Sequence, residues 1–594
     1  MATDKKLKRH GTGVAVPCHV TRKASIMSDV MKSLSFEYLI EVCLQDYHTK
    51  GKILEIDKKD FFTDINDNLK MSFNNEYLRY PIGPAAGPHT QLAQNFLSAY
   101  LTGARFFECK TVQIMDGREM QSMIEKPCID VKNVGYNVEW STELTVKDAS
   151  NEYIKGSILL QVMAIELGFS YIKDFVFNIS VGYNLEGIQS EKISNFIDNL
   201  KDAKNTDCFK ECIKVLKNNI NKFKKFKLED IDKISSKISN TVTLSTMHGA
   251  KPEEILDIVK HLIKNKKINT FIKFNPTLLG YDNVRSILDN LGYNDIVIRK
   301  EDFDHDLKFN MAIEIVKELK RLGKENNVFV GIKLTNTLPV YNSRNILPGE
   351  SMYLSGKPLY PIALGVSAMF AEALDEDIHI SLSGGIDKNN IIEVLMTGIA
   401  PLTVSTLLLK PGGYKNMKSL VDKISVKQMK FGKLDIDSIK KLAESSKNDS
   451  NYKNKGNGRY LEDTLPTYDC FKKNCGICVD VCPNRANIRV YDDRFDAPYQ
   501  IVHIENRCNE CDNCHTFCTR GGFPYFKKIT LFADKEEFEN SENAGILKLD
   551  SNKFFIRDED KNEYEYDLNE FSKGNKSIDN ILETMLKEYP YLIQ

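Results

Sequence analysis

The chain has 594 residues, with 42% hydrophobic and 27% charged side chains, a composition that excludes disorder throughout and leaves ample material for a large core. Its 81 basic and 82 acidic residues nearly cancel, which argues against nucleic acid or acidic lipid recognised by bulk charge. Eight of the 14 cysteines fall between Cys470 and Cys518, a clustering unlike that of secretory disulfides.

Residues 1–26 are basic without an apolar core, and Met27 opens a second plausible start; 1–26 is expected to be a leader, and a non-native one. With no secretory signal and no run of 18 apolar residues, the expected location is the cytoplasm. Residues 27–74 read as a helical N-terminal segment, with apolar residues at helical spacing in FEYLIEVCLQDY. From 75 to 430, apolar runs alternate with amphipathic stretches. The runs at 78–87, 104–111, 157–163, 174–180, 269–275, 328–336, 378–385 and 401–406 are predicted as eight strands. Eight such units imply an α/β fold, a (β/α)8 TIM barrel. TVTLST (241–246) and DIVIRK (295–300) fall outside that count, and 190–240 is expected to be a helical insertion. Residues 431–465 read as a linker, 466–528 as a cysteine module, and 529–594 as a tail with a β-rich piece, a helix and a possible docking role.

The cysteine module holds Cys470-x4-Cys475-x2-Cys478-x3-Cys482-Pro483 and Cys508-x2-Cys511-x2-Cys514-x3-Cys518. In two-cluster ferredoxins the fourth cysteine of each block crosses to the other cluster. By that rule Cys470, Cys475, Cys478 and Cys518 hold one [4Fe–4S] cluster, and Cys482, Cys508, Cys511 and Cys514 hold the second. Structural zinc is the alternative, but two CxxC pairs already satisfy zinc, and each block here carries further cysteines. Two adjacent clusters form an electron relay, and the barrel is the expected sink.

Barrel active sites lie at the C-terminal ends of the strands. The first predicted strand ends in Gly83-Pro84-Ala85-Ala86-Gly87, small residues that admit a flat ligand close to the backbone. Lys110-Thr111, Asn178-Ile179-Ser180, Lys273-Phe274-Asn275 and Thr335-Asn336-Thr337 end others, while Ser383-Gly384-Gly385 and Ser405-Thr406 stand where such barrels bind phosphate.

These strand ends resemble the FMN barrel of dihydropyrimidine and dihydroorotate dehydrogenases, and barrel plus cysteine module resembles the FMN/iron–sulfur part of dihydropyrimidine dehydrogenase. From Met27 to about 425 the chain is similar to the YgfK-like family, which carries a selenate reductase label. GPAAGPHTQLAQN, SVGYNLEGI, TLSTMHG, FNPTLLGY, FDHDLK and KLTNTL carry the match. The resemblance implies FMN contacts at Ala85, Ala86, Lys110, Thr111 and Lys273, phosphate contacts at Gly384, Gly385, Ser405 and Thr406, and substrate contacts at Asn137, Asn178, Asn336 and Thr337. Amides suit the alternating donor–acceptor edge of a ring imide.

One position departs from the pattern: where dihydropyrimidine dehydrogenase has a cysteine acid, this chain has Val181. Ser180, Tyr183, Glu139 and His248 are the candidate proton donors. The implied function is an anaerobic iron–sulfur flavoprotein passing electrons through two [4Fe–4S] clusters to FMN, to reduce a nitrogen heterocycle. That substrate is an oxidised purine such as urate or xanthine, as the family's association with purine catabolism suggests, or a pyrimidine. The alternative is an electron-transfer or assembly subunit of a larger complex, a molybdoenzyme included, with an inert barrel. No G-x-G-x-x-G or P-loop occurs, so an FAD/NAD(P)H flavoprotein subunit or a ferredoxin is the expected donor, in a hetero-oligomer.

Overall fold

Short runs of β-branched and aromatic residues, each followed by a helix that covers its outer face, build a parallel barrel in the computed structural model of the chain. Described are residues 30–63, 71–73, 76–138, 141–170, 173–246, 248–375, 377–425, 433–456, 475–568 and 576–593. The leader 1–26, Glu139 and Cys470 lie outside them.

The barrel strands are β1 (Ile82–Pro84), β2 (Phe106–Glu108), β3 (Val176–Val181), β4 (Thr241–Ser245), β5 (Asn269–Phe274), β6 (Val330–Leu334), β7 (His379–Ser383) and β8 (Leu402–Val404). They pair in parallel and in sequence order from β2 through β8 and back to β1. The circuit closes where the Arg105 N–H donates to the Ile82 carbonyl at 2.9 Å. A Cβ on Gly83 would lie 1.6 Å from the Phe106 carbonyl oxygen, so this seam needs glycine.

The expected number of strands is present, but the membership differs. SILLQVM (157–163) is the middle of a 22-residue helix, Val146–Leu167, capped by Thr145 and ended by Gly168 in the left-handed region. That helix is buried along nearly its whole length, so its apolar run carries no strand signal. The displaced strand is TVTLS, which forms β4. With β4 in place, helices Glu191–Lys201 and Asp207–Asn218 are the β3-to-β4 crossover rather than an insertion.

Residues 433–456 of the expected linker also fold onto the barrel. Helix Ile436–Ser446 buries Ile439 and Ala443, and Tyr452 stacks on Tyr360 with centroids 4.6 Å apart. Beyond the barrel lies a six-stranded sheet: β9 (Asn487–Val490), β10 (Gln500–Ile504), β11 (Ile529–Phe532), β12 (Gly545–Lys548), β13 (Lys553–Arg557) and β14 (Glu563–Asp567). Because β10 pairs in parallel with β11, the boundary drawn at 528/529 cuts a hydrogen-bonded sheet. The C-terminal helix Lys576–Glu588 and the residues after it return to the N-terminal segment: Lys50 pairs with Glu588 at 2.6 Å, and Tyr591 Oη donates to Asp46 Oδ1 at 2.6 Å. No helix among the described residues is long and apolar enough to cross a membrane.

Candidate functional site

The C-terminal ends of the barrel strands surround a cavity of about 280 Å³. All nine residues expected to contact FMN line it: Ala85, Ala86, Lys110, Thr111, Lys273, Gly384, Gly385, Ser405 and Thr406. The floor after β1, from Ala85 to Pro88, carries no polar side chain. Gly384 (φ 126°) and Gly385 (φ 67°) turn the chain after β7 through the left-handed region. A Cβ on Gly385 would fall 2.8 Å from Tyr360 Cβ and 3.0 Å from the Gly356 carbonyl. Ser355 and Thr406 share a 2.8 Å hydroxyl–hydroxyl bond across the same turn.

Beneath the floor lies a charge pair that sequence reasoning missed. Lys333 stands beside Lys273 in the β5–β6 register and is fully buried. Its Nζ donates to Ser381 Oγ and Thr403 Oγ1, each at 2.9 Å, and pairs with Glu108 Oε1 at 3.2 Å. Glu108 Oε2 accepts from the Ala86 N–H and from Thr403 Oγ1, both at 3.2 Å, so the pair also fixes the floor. Burial pushes Lys333 down to about 8, with Glu108 opposing and Lys273 reinforcing the shift. Burial alone would raise Glu108, but Lys333 and Lys273 hold it below the usual carboxylate range. Burial likewise lowers Lys110 to about 8, against the pull of Glu143. The signal available in the sequence was a lysine inside an otherwise apolar strand, VGIKL.

Of the expected substrate residues, Asn137, Asn336 and Thr337 line the cavity. Asn178 does not: it is buried inside the barrel, where its Nδ2 donates to Thr243 Oγ1 at 2.9 Å. Among the proton-donor candidates, Ser180 is tied to Thr111 Oγ1 at 2.8 Å and, like Tyr183, lies off the cavity lining. Val181 is fully buried and also off the lining. His248, which follows the strand left out of the sequence count, lines the cavity. Its Nδ1 lies 2.7 Å from Asp306 Oδ2 and its ring 5.9 Å from that of Tyr353.

Four of the described cysteines gather beside the outer side of the cavity wall, where Cys511 packs. Cys482, Cys508, Cys511 and Cys514 line one small cavity of about 20 Å³. This brings the last cysteine of the first block to the first three of the second. Two sulfurs accept backbone N–H groups, Cys482 from Ala486 at 3.2 Å and Cys508 from Glu510 at 3.3 Å. Among the described residues no three His, Cys, Asp or Glu side chains converge as the ligands of a single ion would. Of the other set, Cys478 is buried, Cys518 half-buried and Cys475 exposed.

Ile129, Val131 and Leu409 line the barrel cavity on one face and pack on Val481, Phe517 and Cys511 on the other. Asn513 pins this wall, its Nδ2 donating to the Leu409 carbonyl at 2.9 Å and the Val481 carbonyl at 2.8 Å. Asn509 Nδ2 reaches Glu143 Oε1 at 2.7 Å, and Tyr414 Oη donates to the Pro483 carbonyl at 2.8 Å.

Residues 54–455 match the family described as "Oxidoreductase YgfK, N-terminal TIM-barrel domain". The chain is 37% identical over 523 residues to "Putative oxidoreductase YgfK" of Escherichia coli strain K12, and equally to the protein of that name in Escherichia coli O157:H7. Each alignment covers 83% of this chain and 50% of the relative, so the chain spans about half the length of these curated relatives. The chain belongs to the YgfK oxidoreductase family and contains its N-terminal TIM-barrel domain.

Proposed function

We propose that the chain is an iron–sulfur flavoprotein unit that passes electrons through two [4Fe–4S] clusters to FMN in the barrel and so reduces a nitrogen heterocycle. The observation that carries this reading is the shared wall: Ile129, Val131 and Leu409 line the strand-end cavity and belong to the apolar cluster on which Cys511, of the four-cysteine cavity, packs.

The cavity fits FMN by its chemistry. The floor of Ala85, Ala86 and Gly87 leaves a flat ring free to approach the backbone, and Lys110 and Lys273 offer cations to its electron-rich edge. Gly384, Gly385, Ser405 and Thr406 offer small-residue turns and hydroxyls to the phosphate. FMN held there would supply a hydride to the substrate. Asn137, Asn336 and Thr337 would orient the heterocycle through its alternating donors and acceptors. His248 would supply the proton, being the described donor candidate that lines the cavity.

The thiols suit clusters better than single ions because four of them surround one cavity and two accept N–H groups, the kind of bond that tunes a cluster's potential. The set with exposed Cys475 would take electrons from a flavoprotein subunit or ferredoxin; the set that includes Cys511, packed on the wall, would face the flavin.

Anaerobic purification followed by iron and flavin analysis is the first test, with about eight irons and one FMN per chain expected. Photoreduced protein is then mixed with urate, xanthine or uracil in a stopped-flow instrument. Reoxidation of the flavin by a heterocycle supports the reading. Absence of FMN with iron retained points to the relay role with an inert barrel, and zinc in place of iron overturns the electron path.

A further inference from the structure

We propose that Asp306 is the positioning residue of a His248–Asp306 dyad that presents His248 Nε2 to the cavity as its proton donor, an inference that rests on the heterocycle-reductase reading above. Asp306 follows the helix Lys300–His305, far from any barrel strand end in sequence. Its side chain is 2% exposed, yet it is surrounded by donors. Oδ2 faces His248 Nδ1 at 2.7 Å and accepts from Thr277 Oγ1 at 2.7 Å. Oδ1 accepts from the Gly249 N–H at 2.9 Å, and Asn275 Nδ2 lies 3.1 Å from Oδ2. Burial alone would raise this carboxyl, but His248 and the surrounding donors hold it below the usual carboxylate range.

A carboxylate only accepts, so Nδ1 of His248 must carry the hydrogen of that contact. The tautomer is thereby fixed, and Nε2 is the nitrogen left to exchange a proton. The side chain of His248 is 25% exposed and lines the cavity. The groups facing its ring are Asp306, Asn275 at 3.2 Å, Tyr353 across the tilted ring contact and, on the same cavity, Lys273.

The scaffold also reaches the substrate side. Asn275 Oδ1 accepts from Asn336 Nδ2 at 2.7 Å, so the amide expected to hold the ring and the imidazole expected to protonate it share one support. Saturating one ring double bond takes a hydride and a proton. The proton leaves Nε2 of the imidazolium, which becomes neutral and is recharged from solvent. The carboxylate accepts the Nδ1 hydrogen and so keeps Nε2 as the exchanging nitrogen, whereas asparagine at 306 can instead present a donor to Nδ1.

The test compares full-length wild type, Asp306→Asn and Thr277→Val, all shown to retain iron and flavin. Two readouts are taken: binding of urate, xanthine or uracil to the oxidised protein, and reoxidation of the photoreduced protein across pH. Asp306→Asn is expected to bind the heterocycle within about threefold of wild type and to reoxidise roughly 100-fold more slowly, with a flattened pH profile. Thr277→Val keeps the carboxylate and should lose far less. A wild-type rate and pH profile in Asp306→Asn overturns the proposal, as does a loss confined to binding. The second measurement needs no turnover: protein labelled with 15N-histidine, with His248 assigned through His248→Gln, should show the hydrogen on Nδ1 in wild type and not in Asp306→Asn. Hydrogen on Nε2 alone in wild type overturns the dyad. If no heterocycle reoxidises the wild-type flavin, the substrate reading falls while the tautomer still decides the dyad.

Discussion

The two faces of the Ile129–Val131–Leu409 wall are built by different physics. On the barrel face a cavity of about 280 Å³ takes its shape from parallel strands and the segments that follow them, with Ser245, Lys273, Ser383 and Thr403 placed by strand register. Buried charges are tolerated there because they come paired, Lys333 with Glu108 and Lys110 near Glu143. On the cysteine face a cavity of about 20 Å³ is lined mostly by loop residues, with Asn487 of β9 and His503 of β10 closing one side. Its neighbours are held by side-chain bonds to backbone carbonyls, such as Arg485 to the Leu54 and Val479 carbonyls at 2.9 and 3.0 Å. A site whose shape comes from strands should survive loss of one polar group with its outline intact. A site made of loops should depend on the group its thiols bind.

The largest expected effect follows on the cysteine face. Cys482→Ser and Cys511→Ser should each remove the same cluster, lowering iron by about four per chain, while Cys478→Ser removes the other. Electron paramagnetic resonance of the reduced variants reads this directly. Flavin content should stay unchanged in all three. If Cys482→Ser instead removes the signal that Cys478→Ser removes, the crossover of the fourth ligand is wrong.

A smaller effect is expected on the barrel face from Glu108→Gln. The substitution leaves Lys333 a fully buried cation with neutral partners only, a cost of about 3–5 kcal/mol at pH 7. The sign with pH follows from the lysine. Its folded value, about 8, lies below the ordinary 10.5, so the unfolded chain binds more protons between them and stability rises with pH across that window. Without Glu108 the folded value drops further, so the rise begins earlier in the variant. The deficit should therefore shrink from pH 7 towards pH 10. Urea unfolding at pH 7 and pH 9.5 measures it, and a deficit that grows with pH would show that the lysine is not the charged partner.

The difference between the faces also explains what the sequence disclosed. Cysteine spacing is local, so both blocks could be read directly, whereas the cavity that gathers Cys482 with Cys508, Cys511 and Cys514 depends on tertiary packing. Strand ends such as Gly384-Gly385 and Lys110-Thr111 are local too, and they line the barrel cavity. The family resemblance and the barrel class were legible on the same grounds. What failed was long-range. A buried helix and a buried strand share an apolar pattern, so SILLQVM displaced the threonine-rich β4, and with it the strand that leads to His248. Asp306 lies 58 residues from His248 and Lys333 pairs with Glu108 across the barrel, contacts that no spacing encodes. The tail looked separate because its first strand, β11, pairs in parallel with β10 across the whole second cysteine block.

The smallest effect is the one that tests whether the two faces are independent. Asn513 is fully buried, and its amide joins the Leu409 carbonyl of the barrel to the Val481 carbonyl of the cysteine module. Asn513→Ala removes both bonds and leaves two buried acceptors without this donor, at a cost of about 1–3 kcal/mol. The urea midpoint should fall while the slope of the transition and the iron content stay the same. In that outcome the wall is held by hydrogen bonds and packing, and each face keeps its own site. If Asn513→Ala also releases iron, the loops around Cys511 and Cys514 borrow their shape from the barrel, and the contrast between a strand-built and a loop-built site gives way to one cooperative unit.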